Sequence, residues 1–325
     1  MRQNHNLVCT LRVAVAALLF LWAAPAGAHL QAASPSEGLS YLPEYVNTVL
    51  HVDVQRALRS PLFARLLALP GFQQEFERAT RTLGVDPRHD VSELLAGGKA
   101  GQGPPVVLLR GPSLREKAMA FLERQPGMTS QSEIYRGLEI LSINGPQAGP
   151  ASAVAFFDSG LVGLGERDGL KAVVDVRTGA APSALNNGRL VGLIGHINPS
   201  DTFWMATTQP IQSMPPLPLK ELQALPVNPS KLQQVVLSGN LDFALAGKVH
   251  GIFEDADSAK SLAGLLQGFL ALARLRGNQT PAEARALLEG LSVEEQPARV
   301  VLSINIPYTA VDEVLAKGRQ THTVR

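Results

Sequence analysis

"LEILSING" occupies residues 138–145 and "VVLSINIP" occupies residues 300–307. Both hold the tetrapeptide Leu-Ser-Ile-Asn, and the two copies stand 161 residues apart. One shared tetrapeptide is expected about once by chance in a chain this long, so the surroundings must carry the argument. Upstream of the first copy, "SEIYRGLEILSIN" reads as strand, turn at Arg136-Gly137, strand. Upstream of the second, "LSVEEQPARVVLSINI" reads the same way. A helix precedes each hairpin. "SLREKAMAFLERQPG" has Ser113 and Glu116 at capping-box spacing and stops at Pro126-Gly127. "TPAEARALLEG" has Thr280 at the cap, Pro281 at the first position and Gly290 at the stop. Beyond the tetrapeptide the copies diverge: the first runs into "GPQAGP" and another hairpin, the second straight into the helix "PYTAVDEVLAKG". This order predicts an α+β chain of antiparallel sheets with helices packed on one face. Its two halves are similar in size and related by at most a distant internal duplication.

Other elements extend the pattern. "VNTVLHVDV" alternates, with Val46, Thr48, Leu50, Val52 and Val54 on one face of a strand. Ser60 and Pro61 open one helix, "GFQQEFERATRTL" forms another that ends at Gly84, and "DPRHDVSELLAGG" reads as a turn and a short helix. "SAVAFFDSGLVGLGE" is a hairpin turning at 158–160, and "RDGLKAVVDVRTG" is a helix closed by Gly179. "QPIQSMPPLPLKELQALPVNP" is proline-rich loop, since proline stops helices and cannot donate to a ladder. Past it, "KLQQVVLSGNLDFALAGKVHGIF" is two strands joined near Gly239-Asn240. The boundaries expected are 41–180 for the first half, 181–232 for a connecting segment, 233–318 for the second half and 319–325 for a tail.

The N-terminus has an export layout. Arg2 and Arg12 stand without an acid, an apolar run extends from Val13 to Ala24, and Ala26 and Ala28 make a small-residue site. That order reads as a signal peptide over 1–28, cut after Ala28. The run is shorter than the ~20 residues of a membrane-spanning helix. Residues 29–40 are small and polar and read as a flexible lead-in. Cys9 is the only cysteine and precedes the apolar run, which rules out lipidation there. Its removal leaves no thiol and no disulfide. Without residues 1–28 the chain holds 27 basic and 28 acidic side chains, so no basic field is present to attract nucleic acid.

"YLPEYVNTVLHVDVQRALRSPLF" and "GVDPRHDVSELL" together resemble uncharacterised exported bacterial proteins that open with a leucine-proline, a V-x-V-D strand and an SPLF helix start. The resemblance covers about sixty residues. It implies export and an α+β fold, and it carries no activity.

Candidate chemistry is sparse. His51 and Asp53 form H-x-D on a strand, on the face opposite the apolar one, where they could serve a metal or an acid/base pair. Asp53 could equally cap the next helix. Asp86, His89 and Asp90 could ligate a metal, but Asp-Pro starts turns and Asp90 can cap the "VSELL" segment. "DADSAK" places Ala259 and Lys260 where a calcium loop needs an oxygen ligand and a glycine. "GLGERDG" lacks the spacing and the βαβ context of a dinucleotide loop, and "GGKAGQG" lacks a hydroxyl after Lys99. The G-x-S-x-G, S-x-x-K and H-E-x-x-H signatures are missing. No cofactor is implied.

The segment 257–276 is apolar over a wide face, so Leu262, Leu265, Leu266, Phe269 and Leu272 are expected to be buried against the "RVVLSIN" strand. Burial would make Phe269→Ala cost about 3–5 kcal/mol. Exposure would instead make this face a docking surface. Three functional classes stand: an exported, non-catalytic protein that binds a partner, an exported hydrolase of unfamiliar type, or a carrier of a small apolar ligand.

Overall fold

The computed structural model describes residues 35–99, 105–124, 127–144, 152–158, 160–209, 231–275, 282–313 and 315. The signal segment, the proline-rich loop and the Thr280-Pro281 cap lie outside them. The chain is α+β, and it divides into two compact units between Phe203 and Trp204.

The first unit opens with α1 (Pro35–Leu39). The small polar composition predicts a flexible lead-in here, but Leu39 and then Leu42 are fully buried and anchor it. Strand β1 (Thr48–Asp53) leads to α2 (Val54–Arg59), capped by the Asp53 carboxylate, which accepts from Arg56 N–H. Helix α3 (Pro61–Leu67) is capped by Ser60 with proline at its first position, as expected. Helix α4 (Pro70–Leu83) ends at Gly84, whose φ of 65° is the left-handed closure glycine adopts freely. A four-residue helix α5 (Pro87–Asp90) comes next, then β2 (Glu93–Gly98). This corrects the reading of "VSELLAGG" as helix. Glu93, Leu94, Leu95 and Gly97 are buried together, and a strand covered on both faces shows no alternation.

After β3 (Val106–Arg110) comes α6 (Leu114–Arg124). Ser113 has φ of 57°, away from the extended conformation a cap requires, so the expected capping box does not form. The hairpin β4 (Thr129–Tyr135) to β5 (Leu138–Asn144) turns at Arg136-Gly137, whose φ values of 47° and 81° mark a type I′ turn. The hairpin β6 (Ser152–Asp158) to β7 (Leu161–Glu166) leads into α7 (Arg167–Arg177), which packs on β5, β6 and β7. Within this unit the strand order is β1-β2-β3-β7-β6-β5-β4, antiparallel throughout. Helix α8 (Gly188–Ile194), inside the segment expected to connect the halves, buries Leu190, Leu193 and Ile194.

Strand β8 (Phe203–Thr207) lies at the division and holds Trp204, which is 1% exposed. The second unit continues with β9 (Leu232–Asn240), β10 (Ala244–Phe253), α9 (Ala256–Leu275), α10 (Ala282–Glu289), β11 (Leu291–Gln296) and β12 (Arg299–Pro307), followed by helical residues 308–313. Its order is β11-β12-β10-β9-β8. Asp255 caps α9 by accepting from Ser258 N–H. Its hydrogen bond with Lys231, then that cap, hold its carboxyl down at about 2.

The two Leu-Ser-Ile-Asn copies fall on β5 and β12, each the second strand of a hairpin at the end of its sheet. The neighbours differ: β12 lies directly against β10, whereas β6 and β7 stand between β5 and β3. Both units thus contain a strand pair, helical residues and a hairpin in that order, β2–β3, α6 and β4–β5 in the first and β9–β10, α9–α10 and β11–β12 in the second, and the first adds the β6–β7 hairpin. Ile140 on β5 is fully buried. Ile140→Ala is expected to lower unfolding stability by about 2–5 kcal/mol in urea titration. A loss under about 1 kcal/mol would mean the first sheet does not carry the core of its unit.

Candidate functional site

Strand β1 sets the first candidate. Val49 and His51 are buried on one face, and Val52 is buried on the other. His51 therefore does not stand on a solvated polar face, which corrects the expectation from alternation. The β1–β2 register pairs His51 with Leu95 and Asp53 with Glu93, and the β2–β3 register pairs Glu93 with Arg110. His51, Asp53, Glu93 and Arg110 thus share one face of three adjacent strands. His51 Nε2 lies 2.9 Å from Glu93 Oε1, and Arg110 Nε donates to Glu93 Oε2 at 3.2 Å. Arg110 Nη2 donates to the Tyr41 hydroxyl at 3.2 Å. The Tyr41 ring is flanked by the guanidiniums of Arg110 at 5.6 Å and Arg177 at 5.0 Å.

Burial pushes the Glu93 carboxyl up, but the His51 hydrogen bond and charge, with the Arg110 guanidinium, outweigh it and hold it below the ordinary 4.5. Asp53 goes the other way. Burial pushes it up, and its bond from Arg56 N–H does not fully compensate. Two carboxylates pushed apart in this way are the pattern of an acid/base pair. A small pocket lies beside them, lined by Gly38, Tyr41, Glu93, Leu95, Leu108, Arg110 and Leu161. His51 and Asp53 are not in its lining, so the pair does not open onto a common space. Asp53 is committed to capping α2.

The second polar group is equally structural. Asp86 caps α5 and pairs with Arg88 at 2.8 Å. Asp90 is buried, accepting from Asp86 N–H and from Lys117 Nζ, each at 2.6 Å. It closes its own turn and ties it to α6, and it does not cap strand β2. His89 is exposed while His51 is buried. Among the described residues no group of three or more His, Cys, Asp or Glu side chains could hold a metal ion.

Sequence reasoning missed Glu93, Arg110 and Tyr41. A buried His on β1 signals a polar partner nearby. The partner's identity depended on placing β2 as a strand.

The other candidate is the outer side of α9. Its inner side meets the sheet through Ala259 and Ala263, with Leu262 and Leu266 partly buried against Leu232, Phe253 and Val300, and Leu270 is buried further along the helix. Phe269, Leu272 and Leu275 are 65%, 62% and 82% exposed. This overturns the expected burial of Phe269 and Leu272, while Leu262, Leu265 and Leu266 are only partly buried. Small Ala259 and Ala263 let the helix lie close on the sheet. One flat sheet then covers one side of a helix that is apolar on more than one. Gly264 and Gly268 also face open space. No helix among the described residues is long and apolar enough to cross a membrane.

Glu93 links folding to pH. A carboxyl depressed in the folded state adds stability above its unfolded value, and that stability is lost as pH falls through the folded one. Asp53, raised by burial, opposes this. Glu93→Gln is therefore expected to flatten the loss of stability below about pH 4.5 that wild type shows in urea titrations. An unchanged acid limb would remove Glu93 from the linkage.

No family model and no curated protein matches the chain. Among solved structures it is similar to three crystal forms of a protein called TP0453. Form I is 10% identical with a TM-score of 0.47, over 88% of this chain and 98% of that one. Form III is 8% identical with a TM-score of 0.46, over 86% and 97%. Form IV is 9% identical with a TM-score of 0.44, over 84% and 94%.

Proposed function

We propose that the chain is an exported protein of the bacterial envelope that acts by binding a protein partner and performs no chemistry of its own. The observation that carries this reading is the outer side of α9, where Phe269, Leu272 and Leu275 stand in solvent on a helix whose inner side is already packed. Contiguous exposed apolar side chains of this size mark interaction surfaces. Lys260 and Arg274 are exposed on one flank of the same helix. Among the described residues, Arg274 hydrogen-bonds neutral carbonyls alone, those of Leu288 and Leu291, and meets no acid. The fitting partner is an amphipathic helix, with apolar residues against Phe269 and Leu272 and acids toward Lys260 and Arg274. Export rests on the layout of residues 1–28. The hydrolase reading loses support because His51, Asp53, Asp86 and Asp90 each serve a fold contact.

A photo-crosslinking side chain at position 269 or 272 tests this in the native envelope fraction, with exposed Lys248 on β10 as the control position. A single protein captured at 269 and 272 but not at 248 is the expected result. With that protein purified, Phe269→Asp should raise the dissociation constant about thirtyfold or more, the loss of one interface hot spot. Capture of lipid, or equal capture at position 248, would overturn the reading. Phe269→Ala is expected to leave folding stability within about 0.5 kcal/mol, as for an exposed site.

A further inference from the structure

We propose that β4 is the seam of a homodimer, pairing antiparallel with β4 of a second copy so that the first unit's sheet continues from one chain into the next. Among the described residues, strand β4 ends its sheet and pairs with β5 alone. The turn at Arg136-Gly137 closes on the pair Tyr135–Leu138, which exchanges both backbone bonds. Alternation then turns the backbone groups of Ile134, Ser132 and Ser130 away from β5. Among the described residues, no side chain sits on these three outward carbonyls.

Free edges are ordinarily blunted by proline, lysine, a bulge or covering side chains. Strand β4 runs seven residues in unbroken register, without proline or lysine. Its one charge, Glu133, is tied to Lys171 at 2.6 Å. Thr129, Ser130, Gln131 and Ser132 are exposed, and Ile134 is 69% exposed.

The end strand of the second unit shows the contrast. On β11 the hairpin closes on Gln296–Arg299, which turns Val293 and Leu291 outward. There Gln267 donates to the Val293 carbonyl at 3.1 Å and Arg274 to the Leu291 carbonyl at 2.6 Å. Among the described residues, the end strand of the second unit is covered and that of the first is open.

An open edge selects a strand as its occupant. This edge is complementary to itself. In the antiparallel register centred on Ser132, all seven residues pair. Ser132 faces Ser132 of the second copy, Ile134 faces Ser130, and Glu133 faces Gln131, whose amide can donate to the carboxylate. Tyr135 faces Thr129, an aromatic beside a β-branched residue. No two like charges meet, whereas centring one residue later would oppose Glu133 to itself. This dimer is independent of the α9 face.

The experiment uses the full chain carrying Cys9→Ser, so that an introduced cysteine is the only thiol. Ser132→Cys should form a disulfide-linked dimer under mild oxidation, since directly paired strand residues lie within bridging distance. Glu139→Cys, on β5, should not. Light scattering on the chain without added cysteine should give twice the monomer mass, with Ser132→Ala unchanged. Ser132→Pro removes an outward N–H that β5 does not use. It should raise the dimer dissociation constant about thirtyfold or more. If Ser132→Pro fails to fold by circular dichroism, Ser132→Lys serves instead. A monomer at about 100 μM would overturn the proposal, because the edge would then be too weak to matter. So would a dimer that survives proline or lysine at 132, or linkage at 139 equal to that at 132.

Discussion

A carboxylate buried between two strands determines much of the first unit. Taking Glu93 out of water carries a penalty of several kcal/mol, met only when its oxygens are paired and hydrogen-bonded. His51 takes one oxygen from β1 and Arg110 takes the other from β3. A shift of β2 by one residue would turn Glu93 to the opposite face and break both contacts at once. The pair therefore penalises wrong registers of three strands, whatever its net contribution to stability. Arg110 then reaches Tyr41, so the same contacts tie the segment before β1 to the sheet.

Local chemistry was legible where a residue acts on its own neighbours. Ser60-Pro61 opens a helix, Gly84 and Gly179 close helices with positive φ, and Arg136-Gly137 turns a hairpin. The α+β class came from these signals. Signals that depend on the far side of a strand were not legible. Glu93 lies 42 residues from His51 in the chain, and nothing local announces their contact. Leu94 and Leu95 stand side by side without alternation because both faces of β2 are covered, and a short apolar run of that kind imitates a helix turn. On α9 the sequence shows more apolar side chains than one sheet can cover, but not which of them the sheet will take.

The repeated tetrapeptide has a structural counterpart of limited extent. Each copy lies in the inner strand of a terminal hairpin, where Leu and Ile share one face and Ser and Asn the other; Leu141 is buried, while Ile143, Leu302 and Ile304 are half-buried. In the second unit this hairpin docks directly on β10. In the first, the β6–β7 hairpin sits between. Shared element order and altered adjacency fit either an inserted hairpin or two separate solutions to one packing problem.

The cover over β11 gives α9 a second role. Its inner residues fill the core, and its Gln267 and Arg274 close the carbonyls of an end strand. Loosening this helix would expose core and template together, and a bare strand beside exposed leucines is a seed for fibrous assembly. Sequence drift should therefore be constrained by folding at Ala259, Ala263, Gln267 and Arg274, and by binding alone at Phe269 and Leu272. In a cell, the variants of this helix that do harm would be those that release it, and their signature would be insoluble protein rather than a silent loss of binding.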